Sequence, residues 1–257
     1  MRKTTTVLIA SGLLASSINM AVAQDDDGLD PANMVELYAC TYNEGAGLDE
    51  LMEVVEDWND WADDQDIENY SAWVMVPFYT SPLQEFDVAW LGGSNNAAGL
   101  GRVQDMWLNS GGEVREQFNE VISCPAHVGF SSLNFKDAPD REDPDNLVVG
   151  FRDCNVAEDS SFMELVPLLM EWSNYYEEND SNAGFWTFNP ATGGGGETFD
   201  FKWIVSHQNL EERGGDFDFW AAEGWQKGNE LFAGKVSCDS ARVYSLMNIR
   251  RAEPADD

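Results

Sequence analysis

The sequence predicts an α+β fold made of two β-α-β-β-α-β repeats packed sheet to sheet. Three observations carry this expectation. Cys40 and Cys124 are 84 residues apart, and so are Cys154 and Cys238. Tryptophans recur in one register, offset by 113 or 114 residues: Trp58 with Trp172, Trp73 with Trp186, Trp90 with Trp203, Trp107 with Trp220. Apolar periodicity switches between the strand period and the helix period in the same order twice.

The chain opens on a leader pattern. Arg2 and Lys3 precede an apolar stretch from Val7 to Ala15, and Ala21-Val22-Ala23 offers a small-residue cleavage site before Gln24. Residues 1–23 therefore read as a secretory signal peptide, too short in its apolar part to span a bilayer. An acidic segment covers 24–32, repeat one 33–136, a polar linker 137–146, repeat two 147–251, and an acidic tail 252–257.

Each element has its own signal. Residues 34–42 and 147–156 alternate and read as first strands. Leu48, Leu51, Met52, Val55 and Trp58 recur at three and four, as do Phe162, Leu165, Val166, Leu169 and Trp172, giving the first helices. Ser161 with Glu164 forms a capping box at the second of these. Strands follow at 70–80 with 86–92, and at 184–190 with 199–206. The second helical regions span 98–122, broken at Gly111-Gly112, and 210–235. Final strands lie at 126–136 and 241–250.

That order is the ferredoxin-like split β-α-β unit. The duplicated arrangement resembles the dimeric α/β-barrel superfamily, with both halves fused in one chain as an intrachain barrel. The resemblance rests on element order over the chain after residue 23. It implies a monomer and admits monooxygenase-like, isomerase-like, haem-binding and non-enzymatic proteins. In such a unit the fourth strand runs antiparallel beside the first, which brings Cys40 to Cys124 and Cys154 to Cys238 as two disulfides. Paired cysteines place the protein in the periplasm or outside the cell.

Strand parity then divides the faces. Val35, Leu37, Val149 and Phe151 are expected to face the helices. Tyr38, Asn134, Arg152, Tyr244 and Asn248 fall on the opposite face, and so do Asp87, Asp200 and Lys202. Between facing sheets these would line a polar lumen, either as a ligand site or as a mutually paired network.

Charge and motifs exclude several functions. Forty-seven acidic against 14 basic residues give a formal charge of −33, the wrong sign for nucleic acid or anionic membranes. The nucleophile elbow, phosphate-binding loop and dinucleotide fingerprint are absent. Two histidines, His127 and His207, occupy unmatched positions, so neither a metal nor a cofactor is expected. Two classes remain: an exported protein that binds a small molecule in the lumen, and a cofactor-independent monooxygenase- or isomerase-like enzyme.

Overall fold

The computed structural model describes residues 32–81, 84–139 and 143–252. The predicted leader, most of the acidic segment after it and most of the tail lie outside the described residues. The first half contains β1 (Asn33–Tyr42), α1 (Leu48–Asp64), β2 (Tyr70–Tyr79), β3 (Val88–Ser94), α2 (Ala97–Ser110), α3 (Gly112–Val121) and β4 (Ile122–Lys136). The second half contains β5 (Asn146–Val156), α4 (Phe162–Glu178), β6 (Gly184–Thr192), β7 (Phe201–His207) and α5 (Leu210–Phe219). A π-helical turn at Trp220–Gly224 leads into α6 (Trp225–Phe232), then β8 (Val236–Cys238) and β9 (Arg242–Arg250).

Local chemistry explains the boundaries. Glu164 turns back to accept the Ser161 N–H at 2.8 Å, and α4 starts there. Asn96 and Asn209 accept from Gly99 and Glu212 at the starts of α2 and α5. The α2–α3 break falls at Gly111, where a Cβ would lie 2.3 Å from the Trp107 ring.

The assembly differs from the expectation. Tandem ferredoxin-like repeats packed sheet to sheet do not form. The strands instead make one closed antiparallel β-barrel of eight strands, in the order β7-β6-β4-β1-β3-β2-β9-β5, with β5 returning to β7 and β8 appended beside β5. The two halves meet at two seams, β2 on β9 and β4 on β6. The physical reason is edge satisfaction. Two facing sheets would leave four strand edges with unpaired backbone groups, whereas joining the edges removes all four.

The barrel interior is an apolar core. Its cluster draws on every strand of the ring, including Met75, Leu91, Phe130, Phe151, Phe188, Ile204, Tyr244 and Leu246, with Val35, Leu37, Trp73 and Trp186 packed against it. An eight-stranded barrel is just wide enough for side chains to fill it. Outside the ring, α1–α3 cover the first half and α4–α6 the second, each over its own apolar layer. Disulfides join Cys40 to Cys124 and Cys154 to Cys238, and the described residues include no free cysteine. Among the described residues no helix is long and apolar enough to cross a membrane.

Candidate functional site

The sequence-derived candidates scatter, and each has a local task. Asp87 and Asp200 are exposed at the barrel rim. The Asp87 carboxylate accepts the Tyr42 N–H at 3.0 Å, and Asp200 accepts the Val156 N–H at 2.8 Å. Their own N–H groups donate to Cys40 O and Cys154 O. Each thus caps the end of the first strand in its half, and the two do not form a paired centre. Asn134 and Asn248 sit at the irregularities of the two seams, opposite Trp186 and Trp73 respectively. Asn134 accepts from the Lys136 N–H, while Asn248 donates to Ala72 O and Arg250 O. Both therefore stitch bulges where the halves join.

Lys202 lies at one barrel mouth, paired with Asp153 and 3.9 Å above the Phe199 ring. Burial lowers its pKa, and Asp153 opposes that shift. Arg242 also pairs with Asp153, at 3.1 Å, and with Asp239. Tyr244 points inward between Phe86 and Phe151, donating to Gln84 at 3.3 Å, and burial pushes its pKa up to about 12. The interior holds apolar packing rather than a polar lumen.

Tyr38 and Arg152 lie on the outer face, toward the helices, while Val35, Leu37, Val149 and Phe151 point in. Apolar composition does not distinguish the two faces of these strands, because both are covered. What surrounds Tyr38 and Arg152 differs sharply between the halves.

In the first half the space under the helices is filled. Glu36 is 5% exposed and accepts three hydrogen bonds: Tyr70 Oη at 2.7 Å, Gln104 Nε2 at 2.8 Å and His127 Nε2 at 2.8 Å. Tyr38 stacks on His127 at 3.7 Å, and Trp90 Nε1 donates to Tyr70 Oη. Burial alone would raise the Glu36 pKa, but these hydrogen bonds outweigh it and hold the carboxyl below its usual range. Gly92 makes room, since a Cβ there would lie 1.8 Å from Tyr70 Oη.

In the second half the matched positions are Gly150 for Glu36, Arg152 for Tyr38, Ala183 for Tyr70, Val205 for Gly92 and Ala241 for His127. The strand register supports the match: Glu36 pairs with Gly92 and Gly150 with Val205, Tyr38 with Trp90 and Arg152 with Trp203. Removing those side chains opens a cavity of about 400 Å³ between the strands and α4–α6. Trp172, Tyr176, Phe185, Trp203, Phe217, Trp220 and Phe232 form its walls and rim. Phe217 and Trp220 are exposed at 58% and 42%. Arg152, Arg213 and the His207–Asp216 pair, at 3.0 Å, provide the polar groups. Burial raises the Tyr176 phenol well above its ordinary pKa. Sequence reasoning named Arg152 but missed Tyr176, Arg213 and Asp216. The detectable signal was the unlike pairs, Glu36 against Gly150 and His127 against Ala241.

No family model matches the chain, and no curated protein sequence matches it. Solved structures do match in fold. A candidate monooxygenase from Lactobacillus acidophilus superposes with a TM-score of 0.53 at 10% identity, over 86% of this chain and 95% of its own. A chlorite dismutase variant from Candidatus Nitrospira defluvii superposes with a TM-score of 0.51 at 6% identity, over 88% and 96%. At these identities the likeness is one of fold alone.

Proposed function

We propose that the protein is exported and binds a small aromatic molecule in the cavity of its second half. The opened cavity carries this reading. The half with Glu36, Tyr38, Tyr70 and His127 is packed, and the half with Gly150, Arg152, Ala183 and Ala241 holds about 400 Å³ ringed by aromatic side chains. Concave, mostly apolar sites with a few convergent polar groups are the ordinary form of a ligand pocket. The two disulfides support an oxidising compartment, reached through removal of residues 1–23. Closure of the ring within one chain supports a monomer. The repeats 33–136 and 147–251 read as products of duplication in which one copy kept a packed centre and the other a vacant one.

The alternative is a monooxygenase- or isomerase-like enzyme at the same cavity, supported by the fold likeness to a candidate monooxygenase. Binding is favoured because the imidazole and carboxylate that line the cavity, His207 and Asp216, are engaged with each other at 3.0 Å. His207 Nε2 is held by Asp216, and His207 Nδ1 is enclosed without a partner. The same geometry argues against a haem, which the superfamily admits, because neither imidazole nitrogen is open to the cavity as an axial ligand.

The test is calorimetry with the neutral aromatic 2-naphthamide. Wild-type protein is expected to bind it, and Gly150→Leu, which projects a side chain into the cavity, is expected to abolish binding with little change in Tm. Absence of binding to wild type, together with no organic molecule released from freshly purified protein, would sink this reading.

A further inference from the structure

The cavity is lined by two cations, Arg152 and Arg213, that form no ion pair among the described residues; Arg213 also lies 6.0 Å above the Tyr79 ring. Arg152 projects from β5 and Arg213 from α5, and among the described residues neither guanidinium has a carboxylate within ion-pairing distance or a hydrogen-bond acceptor. Scarcity of acids does not explain this, because acidic residues outnumber basic ones by more than three to one. The nearby acids are engaged elsewhere: Asp216 holds His207, and Asp239 holds Arg242. Burial and the neighbouring Arg213 both lower the Arg152 pKa, with Asp239 and Tyr176 opposing the shift. A guanidinium is a planar fork of donors, shaped to take a carboxylate through two parallel hydrogen bonds.

The walls define the rest of the ligand. Trp172 and Tyr176 from α4 and Trp203 from β7 present flat apolar surfaces, and Phe217 and Trp220 flank the opening. Such faces stack on a ring system.

We infer that the cavity selects an aromatic carboxylate, its ring system held among Trp172, Tyr176 and Trp203 and its carboxylate bound by Arg152 and Arg213. This rests on the pocket proposed above and adds the charge of the ligand. The net charge of −33 repels anions from the rest of the surface, so the two arginines act as a local selector rather than a general lure.

The experiment compares 2-naphthoate with the neutral, nearly isosteric 2-naphthamide by calorimetry on the intact protein. Wild type is expected to bind naphthoate at least about ten-fold more tightly, the scale of one charge-assisted hydrogen bond. Arg152→Gln and Arg213→Gln should each remove roughly that factor for naphthoate and leave naphthamide unchanged. Added NaCl should weaken naphthoate only. Arg152→Lys and Arg213→Lys, which keep the charge, should retain part of the preference and guard against misfolding as the cause. Equal affinity for the two compounds, or equal losses for both in the arginine variants, would overturn the charge inference while leaving the pocket intact. Failure of both compounds to bind wild type would overturn the pocket and this inference together.

Discussion

The two halves of the barrel share their strand register but use the space beneath their helices in opposite ways. In the first, one carboxylate organises a closed set of hydrogen bonds, with Glu36 accepting from Tyr70, Gln104 and His127. In the second, two guanidinium groups face a void. Fold and register thus set where a site can lie, and a handful of side-chain volumes decides whether it is solid or open. Position 92/205 shows the dependence. Glycine at 92 admits Tyr70, and valine at 205 stands where no tyrosine enters, because the position matched to Tyr70 is Ala183.

The comparison is sharpened first at the feature that the halves share. Each disulfide closes a separation of 84 residues, so replacing Cys40 and Cys124 with alanine, or Cys154 and Cys238, should cost roughly 2–5 kcal/mol in either half. Urea unfolding of the two double variants checks this, and a large inequality would show that one half carries most of the stability. Next in size is Gly92→Ala. The new Cβ displaces Tyr70 and costs roughly 1–3 kcal/mol by overpacking. Gly150→Ala, where the Cβ meets only Ala241 at 3.6 Å, should change Tm little. Similar losses for the two would erase the contrast between a packed and an open half.

The smallest effect concerns acid. The folded-state pKa of Glu36 is lowered, so its contribution to stability is present above the ordinary glutamate value of about 4.3 and is lost as pH falls through the folded value. Glu36→Gln should flatten the fall of the urea midpoint over that acidic window and leave ligand binding in the second half untouched. An unchanged pH profile would remove Glu36 from the account of the first half.

Much of this was legible in the sequence, but unevenly. Segment types followed from period, and the cysteine partners from their equal spacing combined with strand adjacency. The closed ring was not legible, because periodicity describes each strand's faces and says nothing about which edges meet. Face assignment failed on the first strands for a related reason. Val35 and Leu37 are apolar because they line the barrel interior, but the face under the helices is covered as well, so apolar composition alone does not tell the two faces apart. Recurrence misled in a second way. Asp87/Asp200 and Asn134/Asn248 are repeated because both halves need strand caps and stitched seams. The candidate site lies where the repeats disagree, and it is made largely by residues that are small.

Closure of the ring also sets an order of events. The seam of β2 with β9 pairs Trp73 with Asn248, whereas β1 and β3 pair positions much nearer in the chain. Contacts of such long span slow folding. A ribosome or an export channel delivers β2 well before β9, so the β2 edge waits unpaired while the rest of the chain arrives. The Cys40–Cys124 bond has no such wait, since both of its residues precede β5. The first half can therefore be covalently fastened while the barrel is still an open ribbon, and the arrival of β9 converts that ribbon into a ring.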